Sequence, residues 1–98
     1  MRPWGELWGR LVFVLFDWDD GNWPKCGKHG LTKLEIETAF EAPSARFVPL
    51  EHATEERWML VAFNDGRWMS VIFTRRNDRV RPISAKPMHL RDVRRHVT

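Results

Sequence analysis

The chain has one cysteine, Cys26, so no intramolecular disulfide can form and stability has to come from packing. That usage also points to a reducing cytoplasm as the expected home. Tyrosine is absent, which leaves six Trp and six Phe to supply the large rings and removes the phenol as a candidate acid or base. No apolar run approaches the ~20 residues of a membrane span. The stretch LVFVLF at 11–16 is far shorter, runs straight into Asp17, Asp19 and Asp20, and has no small-residue cleavage site, so it is not expected to be a signal peptide. Carboxylates are scarce at one end only. Residues 67–98 hold 9 Lys/Arg against 2 Asp/Glu, a balance of +7, whereas residues 1–66 hold 7 against 11, a balance of −4. A basic C-terminal third on a small protein suits a polyanion or an acidic partner, or serves simply as a solvated face.

With 43% hydrophobic residues the chain can bury a core, and 98 residues make one domain, 1–98. Residues 1–10 are turn-rich and form an N-terminal extension. The run at 11–16 reads as a strand. Asp17, Asp19 and Asp20 suit the first turn of a helix, where carboxylates meet the positive end of the dipole, with Pro24 tolerated near its start and Gly30 as its stop after the cations Lys28 and His29. Thr32 and Glu35 form a capping box, predicting a second helix to about Phe40 with Leu34, Ile36, Ala39 and Phe40 as its apolar stripe. A short strand at 46–48 and strands at 57–63, 67–74 and 79–86 follow. NDG at 64–66 makes one hairpin turn and RRND at 75–78 another. Pro82 inside the last strand demands an edge position or a bulge. A short basic helix is expected over 89–96. The fold class is α+β: an antiparallel meander packed against two helices from the N-terminal half on one sheet face, and a short C-terminal helix.

Strict alternation on the last strand puts Arg79, Arg81, Ile83 and Ala85 on one side and Val80, Pro82, Ser84 and Lys86 on the other. Arginines on a half-buried sheet face usually have a carboxylate partner, and few carboxylates lie in this stretch. Arg81 and Lys86 therefore point to a site that awaits phosphate. Were that anion a nucleic-acid backbone, metal-independent cleavage at its phosphate would need a base for the attacking hydroxyl, an acid for the leaving oxygen and cations for the phosphorane. His29 or His89 can move the proton. Arg75, Arg81 and Lys86 can clamp the phosphate, and Lys28 can clamp or protonate. Each has a plainer reading: Lys28 and His29 as helix C-terminal cations, and Arg75 as a turn residue. Cys26 and His29 lack two further ligands at zinc spacing, and the three aspartates read as helix caps sooner than as a Mg²⁺ site, so neither metal nor cofactor is expected. Trp18, Trp23 and Trp68 read as core, with base stacking open to any that is exposed.

The segments FDWDDGNWPKCGKHGLTKLEIETAF, HATEERWMLVAFNDG and VIFTRRNDRVRPISAKPMH resemble, in order and spacing, the BrnT family of bacterial toxins over roughly residues 16–96. The resemblance implies a RelE-like ribonuclease fold and a type II toxin that cleaves RNA and inhibits translation. It also implies a BrnA-like antitoxin whose ribbon-helix-helix dimer sits between two toxins in a heterotetramer and alone touches operator DNA. The chain departs from the family's pattern in three places: Pro24 and Gly27 interrupt a helix that is usually regular, Pro87 follows the last strand where a bulkier residue is more usual, and no tyrosine lies near the C-terminus. The alternative is a non-catalytic module, a degenerate toxin that binds RNA or a protein. A DNA-binding regulator fits least, because no helix-turn-helix pattern occurs.

Overall fold

A computed structural model describes residues 15–97. Residues 1–10 and most of the expected strand at 11–16 lie outside them. What is described of that strand is a single parallel bridge, Phe16 to Val80.

Among the described residues there are seven elements: α1 (Trp23–Gly27), α2 (Lys33–Ala39), β1 (Arg46–Leu50), β2 (Arg57–Asn64), β3 (Arg67–Arg76), β4 (Arg79–Pro87) and α3 (Leu90–Val97). The strands form one antiparallel meander in the order β1-β2-β3-β4. The class is α+β, as the patterning predicts. Two-residue turns set the register of the long hairpins. Asp65 and Gly66 have φ of 52° and 84°, and Asn77 and Asp78 have 51° and 62°. This left-handed pair is the turn whose twist matches flanking strands, and Asn, Asp and Gly tolerate it best. The second turn is therefore Asn77–Asp78 alone, while Arg75 and Arg76 remain in β3.

Each helix has a local reason. In α2, Thr32 Oγ1 accepts from the Glu35 amide and the Glu35 carboxylate accepts from the Thr32 amide, both at 3.0 Å. That is the expected capping box. Ile36, Ala39 and Phe40 are buried on one stripe, but Leu34 is 69% exposed, because it lies across the helix from Ile36. The expected aspartate-led helix is corrected: α1 begins only at Trp23, has no acidic residue in its first turn and has no side-chain cap. Asp17 and Asp19 are used elsewhere, as described below. Pro24 sits in the first turn of α1, where its missing N–H costs nothing, and Gly30 (φ 88°) turns the chain after the helix ends.

The core lies on one face of the sheet. Trp58, Leu60, Ala62, Met69, Val71, Phe73, Val80 and Ala85 pack against Cys26, Ile36, Ala39 and Phe40. The Phe40 ring meets Phe73 edge-on at 4.9 Å and the partly buried Phe16 at 5.3 Å, and burial of a ring such as Phe73 contributes roughly 1.5–3 kcal/mol. α1 and α2 are tied to each other by rings and charge. Trp18 and Trp23 meet edge-on at 5.3 Å, the Lys33 ammonium lies 5.0 Å from the Trp23 ring, and Trp18 Nε1 donates to Glu37 at 2.8 Å.

The alternation expected on the last strand is corrected by a bulge. Ile72 pairs with Ser84 but Phe73 pairs with Pro82, leaving Ile83 as the extra residue. Val80, Pro82 and Ala85 consequently pair with core-side residues. Ser84 and Lys86 share the opposite face with Ile72 and Ser70. Pro82 thus has both devices its sequence position demands, since β4 also ends the strand order. On that second face Val61 is fully buried, and α3, which packs against β2, buries Val93. Among the described residues no helix is long and apolar enough to cross a membrane.

Candidate functional site

Where α1 reaches the β4 side of the sheet, a cavity of about 350 Å³ opens. Lys25, Lys28 and His29 line it from α1 and the turn that follows, Arg57 from β2, and Ser70 and Ile72 from β3. Ile83, Ser84, Ala85 and Lys86 line it from β4. The bulge matters here, because it turns Ser84 and Lys86 toward Ser70 instead of into the core. Four lining residues carry basic side chains, one is a histidine and none is a carboxylate.

The lining is poorly neutralised. Arg57 Nε binds Glu55 at 3.0 Å, whereas Lys25, Lys28 and Lys86 have no ion pair among the described residues. Ser70 is 5% exposed, and its hydroxyl has no hydrogen bond among the described residues. A buried donor facing clustered ammonium groups is the chemistry of an anion site, because each unpaired group gains a partner when a phosphate enters. Lys28 is the C-cap of α1 and His29 follows it, so their plainer reading as helix C-terminal cations also holds. The two readings are compatible, since the helix end faces the cavity.

Three of the six candidates from the sequence, Lys28, His29 and Lys86, meet in this cavity. The other three do not line it. His89 is exposed ahead of α3, where its carbonyl accepts from the Asp92 and Val93 amides. Arg75 lies at the far end of β3, with Nη2 at 3.9 Å from Glu56. Arg81 has the carboxylate partners that its own stretch of sequence lacks: Nη1 and Nη2 each reach Asp19 at 3.0 Å, and Nη1 also reaches Asp17 at 3.1 Å. The Asp19 carboxyl is held below its ordinary pKa by the Arg81 guanidinium first, and then by the Gly21 amide. Arg81 is in turn pushed up, chiefly by Asp19. Lys25, Arg57, Ser70 and Ser84 were not among the candidates. The bulge that orients Ser84 was signalled by Pro82, but nothing local marks the other three.

Cys26 is fully buried and its thiol is pushed up to about 11 by that burial, so it is protonated at neutral pH and belongs to the core. Trp18 and Trp23 pack against the core, as read.

A family model described as "Ribonuclease toxin, BrnT, of type II toxin-antitoxin system" matches residues 18–92. The chain belongs to the BrnT family. That match spans α1 through the first residues of α3 and thus every residue that lines the cavity. No curated protein matches the chain. Membership in BrnT makes this a toxin-family protein whose relatives are ribonucleases paired with antitoxins.

Proposed function

We propose that the protein is an endoribonuclease toxin that cleaves RNA without a metal ion, and that the cationic cavity is its active site. The observation that carries this reading is the lining itself: Lys25, Lys28, His29, Arg57 and Lys86 around a buried Ser70 whose hydroxyl has no hydrogen bond among the described residues, with no carboxylate in the lining. In the proposed reaction the 2′-hydroxyl of the substrate attacks its own phosphate. Lys28 and Lys86 hold the non-bridging oxygens and stabilise the added charge of the phosphorane. Ser70 donates to the same oxygens, and Arg57 adds a second-sphere positive charge. The P–O5′ bond then breaks to leave a 2′,3′-cyclic phosphate: the imidazole of His29 takes the 2′-hydroxyl proton, and the Lys28 ammonium gives one to the departing 5′-oxygen. Arg75 and His89 take no part in the proton transfers in this reading.

The family membership supports the rest: a RelE-like architecture, inhibition of translation through RNA loss, a cytoplasmic setting, and neutralisation by a BrnA-like ribbon-helix-helix antitoxin. Two toxins would flank an antitoxin dimer, and operator DNA would be met only through that dimer.

Incubating the purified protein with total RNA in EDTA is the direct test. Discrete fragments are expected, and the His29→Ala, Lys28→Ala and Lys86→Ala variants should each cleave about 10²-fold or more slowly, the usual scale for losing an acid–base group or a charge donor at a reacting phosphate. Intact RNA with the parent protein would overturn the nuclease assignment. If that parent still bound RNA through Lys86, the alternative of a non-catalytic binding module would stand in its place.

A further inference from the structure

Arg81 lies on β4 close to the cavity, yet its guanidinium is almost fully engaged elsewhere. Its side chain is only 11% exposed, its fork grips both oxygens of Asp19, and Nη1 adds Asp17. Bidentate geometry of this kind fixes direction as well as distance. The grip is packed as well as paired: a Cβ on Gly21 would come within 3.1 Å of Arg81 Nη2 and 3.0 Å of Asp19 Oδ1.

The aspartates belong to the segment that leads into α1. The Asp17 amide donates to Val80 at 2.8 Å, and the side chain of buried Asn22 donates to the carbonyls of Asp17 and Pro82, both at 2.8 Å. The Asp19 amide donates to Asn22 Oδ1, and the Asp19 carbonyl accepts from Trp23, the first residue of α1. α1 itself has five residues, too few to hold a helix alone in water. Its position is therefore set by what it is fastened to. α1 and its following turn carry Lys25, Lys28 and His29 into the cavity lining, while β4 carries Ser84 and Lys86 into the same lining.

We infer that Arg81, Asp17 and Asp19 form a positioning latch that sets the α1 wall of the cavity against the β4 wall, with Arg81 acting on the site through α1 and not as a phosphate ligand. The inference rests on the proposed reading of the cavity as the RNA-cleaving site.

The two roles for Arg81 predict opposite signs for one substitution. Asp19→Ala removes a negative charge beside a cationic cavity and frees the guanidinium fork. A phosphate-binding Arg81 would then bind RNA more tightly and cleave at least as fast. As a latch, Asp19→Ala and Arg81→Ala should each lower kcat by about 10-fold or more with a smaller change in KM, since misplacement of reacting groups costs rate above all. Combining them should add little, because either one opens the same latch. Amide hydrogen exchange supplies a readout independent of activity: the Cys26 and Gly30 amides should exchange faster in both variants, with the β2–β3 amides unchanged. Tighter RNA binding by Asp19→Ala with full kcat would overturn the latch, as would parent-like exchange at Cys26. If the parent cleaves no RNA, the ribonuclease reading fails, and the exchange measurement alone decides the latch.

Discussion

At the scale of single residues, Arg81 shows the limit of reading charge along a sequence. Its neighbours on β3 and β4 offer almost no carboxylate, and its partners come from 62 and 64 residues earlier in the chain. No local window contains that information. Lys28, His29 and Lys86 were legible, because residue type and the helix-end pattern marked them. Arg57 and Ser70 were not, because only sheet register brings them to the cavity. The Arg81–Asp19 pair has a consequence in acid. Asp19 has a depressed folded pKa, so its contribution to stability is complete above the ordinary carboxylate value and is lost as pH falls through the lower, folded one. The parent should thus lose stability more steeply than Asp19→Asn below about pH 4. Urea midpoints at pH 7 and pH 3 would check this; Glu35 and Glu55, also depressed, are common to both proteins and cancel in the comparison. Equal losses in the two proteins would remove Asp19 from the acid response.

At the scale of elements, the best-read features are those whose signal is local and chemical. TKLE specifies the start of α2 and NDG the β2–β3 turn, and both form as expected. The capping box predicts a definite cost. Thr32→Ala leaves the Glu35 amide without its side-chain acceptor and should destabilise the protein by about 1 kcal/mol. That corresponds to roughly 4–8 °C in Tm for a domain of this size, measurable by thermal unfolding followed by circular dichroism. A shift much under 1 °C would mean that packing of Ile36, Ala39 and Phe40 holds the helix start by itself. The features misread depended on competition between neighbours. Asp17, Asp19 and Asp20 have the right chemistry for a helix start, but the arginine fork and the buried Asn22 outcompete the dipole for two of them. Strict alternation on β4 failed because Pro82 cannot donate to a ladder and the strand gains one residue beside it.

At the scale of the whole molecule, folding offsets part of the uneven charge of the sequence. Carboxylates of the acidic first two-thirds cross over to arginines of the basic third: Glu35 to Arg67, Glu55 to Arg76, Glu56 to Arg75, and Asp17 with Asp19 to Arg81. The excess that a linear count assigns to residues 67–98 is thus not spread evenly over the folded surface. One place where it survives is the cavity, where Lys86 joins Lys25 and Lys28 from the other part of the chain without carboxylate partners among the described residues. This gives RNA binding a measurable salt signature. Each phosphate neutralised on a single strand steepens the fall of log affinity with log salt by about 0.7. Lys28→Ala and Lys86→Ala should therefore each flatten the slope by about that amount for a non-cleavable 2′-O-methyl oligonucleotide. Arg79→Ala, exposed at the start of β4 and outside the cavity lining, should leave the slope unchanged. Equal flattening by all three would mean that RNA is held by a diffuse basic face, and the cavity would lose its claim to the phosphate.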